Sequence, residues 1–72
     1  MSWDYSKLRG RIIEKYGSMT KFAEAVGLSK SALSRKLNNF SSFNQEDIEL
    51  FRGALEIEQS DIGTYFFTVE VQ

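Results

Sequence analysis

Apolar residues recur at helical spacing along nearly the whole chain and switch to alternation only at its end. Tyr5, Leu8, Ile12 and Tyr16 are three, four and four positions apart, with Ile13 beside them, which makes one face of an amphipathic helix. Asp4 is placed to cap this helix and Gly17 to end it. Gly10 lies inside it at a cost of about 1 kcal/mol relative to Ala, tolerable where something packs closely. Ser18 starts a second, short helix over 19–26 whose Phe22, Ala23 and Val26 share a face, and Gly27 supplies the positive φ that closes it. Ser29 caps a third helix from Lys30 to about Leu37. Its Leu33 and Leu37 point inward, the rest is almost wholly polar, and Asn38 and Asn39 break it.

Phe40 to Phe43 read as a loop with two aromatic anchors. Asn44 caps a fourth helix to about Leu55, apolar at Ile48, Phe51 and Leu55 and widened by Leu50 and Ala54. Glu46, Asp47 and Glu49 in its first turns complement the helix dipole. Ser60 or Asp61 opens a fifth short helix through Phe66, after which Thr68, Val69, Glu70 and Val71 alternate like a brief strand or extended arm. The expected fold is all-α: five compact helices followed by a short extended C-terminal arm.

Seventy-two residues point to one domain, 1–72, with one small core. A chain that is 42% hydrophobic and carries six Phe, three Tyr and one Trp should fold unaided rather than remain disordered. It has no Cys and no His, which removes disulfides, thiolate or imidazole metal sites, Cys nucleophiles and Ser-His or Cys-His pairs. The expectation is therefore no enzyme, no cofactor, no metal and no small-molecule substrate. No apolar run approaches the roughly 20 residues that span a bilayer, and Met1-Ser2-Trp3-Asp4 lacks a secretion signature. A cytoplasmic protein with no membrane partner is expected.

A net charge of −1 conceals a strong asymmetry. Residues 1–40 hold eight basic residues against three acidic ones; residues 41–72 hold Arg52 alone against seven acidic residues. Such polarity suits a molecule that turns one face to a polyanion while the other faces solvent or a basic protein.

Two short helices joined by a tight Gly turn, the second polar and basic outside, form the helix-turn-helix arrangement, and residues 19–38 fit it position by position. Ala23 is small where the helices cross, Gly27 permits the turn, Leu28 plugs the corner, and Phe22, Val26, Leu33 and Leu37 fix the pair to the other helices. The run from Lys21 to Asn38, KFAEAVGLSKSALSRKLN, resembles the helix-turn-helix core of the phage lambda-repressor and Cro-type family. The opening Tyr5 to Ile12, the run Leu33 to Asn39 and the closing Tyr65-Phe66-Phe67 are similar to small Cro-like regulators of Gram-positive phages, a group that includes lactococcal antirepressors. The resemblance implies a role in a lysis-lysogeny switch by operator binding, by binding the repressor protein, or both. Operator-reading members often place Gln at the start of the second helix to clamp phosphate; Met19 stands there in this chain, which weakens the case for that contact.

In this arrangement the third helix lies in the major groove or against a partner, with Lys30, Ser31, Ser34 and Arg35 on its outer face. Arg35 is the candidate for a bidentate contact to guanine, worth about 1–3 kcal/mol of discrimination. Ser29, Lys36, Asn38 and Asn39 sit where phosphate contact is expected. One small module makes few phosphate contacts, so a homodimer is a natural source of a second recognition helix. Tyr65, Phe67, Val69 and Val71 are the candidate oligomer or partner contacts, while Phe66 is assigned to the core. The same positive face also suits the DNA-binding domain of a phage repressor protein, which the molecule would then occlude without reading DNA. Operator DNA and repressor protein both stand as partners at this level.

Overall fold

In the computed structural model, which describes residues 2–71, the chain forms five helices: α1 (Ser6–Tyr16), α2 (Met19–Val26), α3 (Lys30–Leu37), α4 (Gln45–Leu55) and α5 (Ile62–Phe66). A single 3-10 turn, Gln59–Asp61, leads into α5. Polar side chains at the helix starts do what their chemistry suggests. The Ser18 hydroxyl accepts from the Lys21 N–H at 3.1 Å, and the Ser29 hydroxyl accepts from the Ala32 N–H at 3.0 Å. Asn44 and Asp47 form a reciprocal capping box at the start of α4, with distances of 2.8 and 3.1 Å. At α1 the expectation shifts by one residue: Tyr5 occupies the cap position, and Asp4 accepts from the Ser6 N–H at 2.8 Å from one residue outside. The cause is burial, since Tyr5 belongs to the core and its carbonyl accepts the Arg9 N–H at 2.9 Å.

Three helices end in the same device, a Schellman motif, in which a left-handed residue is followed by one whose N–H returns to a carbonyl five positions back. Gly27 (φ 74°), Asn39 (φ 66°) and Glu56 (φ 54°) are the left-handed residues. Leu28, Phe40 and Ile57 then donate to the carbonyls of Ala23 at 2.9 Å, Arg35 at 2.8 Å and Arg52 at 3.0 Å. In this motif the side chain after the left-handed residue ordinarily makes an apolar contact with the helix it closes. Leu28 packs against the core and Ile57 is buried within it. Phe40 departs from that pattern and stands 73% exposed, so it is not the anchor its place in the loop suggested.

The core gathers Leu8, Ile12, Phe22, Leu33, Leu37, Phe51, Leu55 and Phe66 from all five helices, with Tyr5, Ala23 and Ile57. α1 packs on α2, α4 and α5, and α2 packs on α3 and α4. Aromatic rings meet edge to face through this interior: Tyr16 with Phe22 at 5.1 Å, Phe22 with Phe51 at 4.9 Å, Phe51 with Phe43 at 5.1 Å, and Phe43 with Phe66 at 5.3 Å. That geometry sets positive ring edges on negative faces and adds about 0.5–1.5 kcal/mol per pair beyond burial. Leu50 is exposed instead of widening the α4 stripe, and Gly10 has no atom within 4 Å of where a Cβ would sit, so no close packing requires it.

The C-terminal arm is extended and partnered. Val69 forms an antiparallel bridge with Trp3, the Asp4 N–H donates to the Thr68 carbonyl at 2.7 Å, and the Glu70 N–H donates to the Ser2 carbonyl at 3.0 Å. Asn39 closes this junction from the other side. Its side-chain oxygen accepts from the Trp3 N–H at 2.9 Å and its amide donates to the Trp3 carbonyl at 3.0 Å. Among the described residues no helix is long and apolar enough to cross a membrane.

Candidate functional site

Leu33 and Leu37, one turn apart, fasten α3 to the core, so the residues between them that point the other way are presented outward. Lys30, Ser31, Ser34 and Arg35 are all exposed. The Gly27–Ser29 turn sets this orientation, because the left-handed Gly27 ends α2 and Ser29 starts α3 two residues later.

The cations divide into those already engaged and those that are not. Arg11 pairs with Glu14 and donates through Nε to the Leu55 carbonyl at 2.9 Å, and Lys15 pairs with Glu56 at 2.7 Å. Arg9 donates from Nη2 to the Leu37 carbonyl at 3.1 Å and to Asn38 Oδ1 at 2.7 Å, closing the C-terminal end of α3. Lys36 reaches across to α4: its Nζ lies 2.8 Å from Asp47 Oδ2 and 3.2 Å from the Ser42 carbonyl, and its side chain is only 15% exposed. Burial pushes the Asp47 carboxyl up, but hydrogen bonds from Lys36 and the Asn44 N–H, with the Lys36 charge, outweigh it and hold the group below its ordinary value. Among the described residues the side chains of Lys7, Lys21, Lys30 and Arg35 make neither an ion pair nor a hydrogen bond.

The residues expected at phosphate are therefore occupied within the chain. The Ser29 hydroxyl caps α3, Lys36 is paired, Asn38 links Arg9 to the Ser34 hydroxyl (3.1 Å), and Asn39 clamps Trp3. Of the outer-face set, Arg35 gains a neighbour that the hydrophobic pattern had placed elsewhere: its guanidinium carbon lies 6.0 Å from the centre of the Phe40 ring, within the range of a cation-π contact. The readable signal was Asn39, a residue that tolerates the left-handed region, because it makes Phe40 the next residue of a helix-closing motif.

Of the candidate partner contacts at the C-terminus, Tyr65 is half-buried against the core, while Phe67, Val69 and Val71 are exposed. Phe67 meets the edge of Trp3 at 5.7 Å. Phe66 is in the core as expected. Among the described residues no group of three or more carboxylates is placed to hold a metal ion.

Set beside known proteins, residues 1–69 match the family described as protein of unknown function (DUF739). No curated protein matches the chain. Among solved structures, the chain is similar to the modulator of repression (MOR) of the temperate bacteriophage TP901-1 from Lactococcus lactis. That solution structure shares 42% identity over 100% of this chain and 97% of the other, with a TM-score of 0.84.

Proposed function

The chain belongs to the DUF739 family, and on that premise we propose that it is an antirepressor-type regulator of a phage lysis-lysogeny switch, acting in the host cytoplasm by associating with a repressor protein. Residues 19–38 serve as a Cro-like helix-turn-helix, and α3 carries the contact through Lys30, Ser31, Ser34 and Arg35. Full-length similarity to a phage modulator of repression supports the biological setting. The observation that carries the choice of ligand is the division of polar groups around α3. Lys30 and Arg35 are uncommitted, whereas Lys36, Asn38 and Asn39, the groups suited to grip phosphate, are bonded inside the chain. Non-specific DNA affinity scales with the number of phosphates neutralised, so a face left with two cations suits an acidic protein surface better than a duplex.

Operator binding by the same face is the second reading, favoured by the exposed, Ser29-capped start of α3 and its two unpaired cations. In that reading Arg35 meets a base edge, and a homodimer supplies the second helix. The test is size-exclusion chromatography of the purified protein with the DNA-binding domain of the repressor from the same phage, without operator. The two should co-elute at micromolar concentrations, and Arg35→Glu should separate them. Gel shifts with operator, repressor and this protein in all combinations distinguish the alternatives. Release of repressor fits the antirepressor. A shift by this protein alone that fades steeply with salt fits operator binding. Failure to co-elute removes the antirepressor reading.

A further inference from the structure

Beside the C-terminal end of α3 lies a cleft of about 270 Å³ whose walls include Trp3, Phe40, Phe67 and the inner ring of Phe43. No charged side chain lines it, and Ser2, Asn39, Ser41 and Ser42 supply polar, uncharged parts of the wall. Phe40 and Phe67 are 73% and 51% exposed, so two large aromatic side chains stand in water within one concavity. In the other two Schellman motifs the equivalent side chain packs into the core; here it is withheld from the core and forms a wall. Phe40 therefore borders both the cleft and the Arg35 guanidinium, which lies outside the cleft lining, 6.0 Å from the Phe40 ring centre, and makes no ion pair among the described residues.

We infer that this cleft is a docking site for a protein segment carrying an apolar side chain next to a carboxylate: the apolar group enters between Trp3, Phe40 and Phe67, and the carboxylate pairs with Arg35. This rests on the reading of α3 as a protein-binding face and names the chemistry of the partner there. The occupant follows from charge and size. A duplex presents phosphates, and a hollow whose lining holds no cation neutralises none of them. The hollow is smaller than the ~300–1,000 Å³ of most small-molecule sites and suits one or two side chains. A second copy docking through this same cleft would set Arg35 near its twin with no carboxylate in the lining to offset it. Exposed aromatic walls with an Arg beside one of them are the composition of an interface hot spot, and a guanidinium near a ring face keeps its N–H edges free for a carboxylate.

Trp3 is the chain's single Trp and reports directly on the hollow. Its emission should be independent of protein concentration when the protein is alone; a blue shift on concentrating, with a rise in sedimentation coefficient, would show a second copy in the cleft and overturn the inference. Titration with a Trp-free form of the repressor's DNA-binding domain should shift the emission to the blue and saturate. Phe40→Ser, Phe67→Ser and Arg35→Glu should each raise the Kd about tenfold or more, with circular dichroism unchanged, and only Arg35→Glu should remove salt dependence. If the wild type binds and Arg35→Glu fails while both Phe variants bind normally, the docking inference falls and the proposed function stands. If the wild type does not bind, both fall. Loss of duplex binding but not of repressor binding in Phe40→Ser would also overturn it.

Discussion

At Gly27 the backbone sits at φ 74°, and nothing lies within 4 Å of the place a Cβ would take. A side chain there meets no neighbour, so the whole cost of adding one is backbone conformation. Gly27→Ala should lower stability by about 1–2 kcal/mol, read from the urea midpoint. Gly10 is equally open but lies inside α1, where Ala is the better helix former. Gly10→Ala should raise stability by about 0.5–1 kcal/mol. If Gly27→Ala raised the midpoint as Gly10→Ala should, the left-handed ending of α2 would have to be abandoned. Gly27 was readable beforehand because a Gly after a short apolar face has one common use. The open surroundings of Gly10 were not, since they depend on what the rest of the chain leaves uncovered.

Between elements, the placement of α3 against α4 depends on Lys36 and Asp47, which meet at 2.8 Å with both side chains largely covered. Asp47 also belongs to the capping box of α4, so one carboxylate starts a helix and ties it to its neighbour. Because its folded-state pKa lies below the ordinary 3.8, its contribution is full above that value and is lost as pH falls through the folded pKa. Asp47→Asn should cost about 1 kcal/mol at pH 7 and make stability fall less steeply below pH 4. Urea unfolding at several pH values checks this; parallel acid limbs in variant and wild type would sink it. The caps at Ser18, Ser29 and Asn44 were legible because capping joins residues two or three positions apart. The Lys36 pair was not, because it joins two helices across 11 positions.

Over the whole molecule, the two ends are joined to each other and to the end of α3. Trp3 bridges Val69, and Asn39 holds both polar groups of the Trp3 backbone. Asn39→Ala removes two hydrogen bonds and puts a residue less tolerant of the left-handed region than Asn at φ 66°, so it should cost about 2 kcal/mol. Asn39→Gly loses the same bonds but keeps the conformation free, and should cost about half as much. Denaturation and amide exchange at Trp3 separate the terms: equal losses place the effect in the clamp, and no loss in either means the strand bridge alone holds the ends. The same junction shapes the aromatic hollow, so Asn39→Ala should also weaken partner binding without touching α3's outer face.

Helix number, helix limits and most of the core were present in the order of residues, since periodicity, caps and turn residues act over three or four positions and each leaves a local mark. The long-range decisions were of another kind. Arg9 closing the end of α3 across 29 positions, Trp3 meeting Val69, Ile57 turning inward and Phe40 outward each depend on which surfaces the folded chain brings together. Five helices and a basic third one could be written down from the sequence. Which of its cations remain free to meet a partner is settled only when every other charge has found its neighbour, because an ion pair is a property of two positions in space.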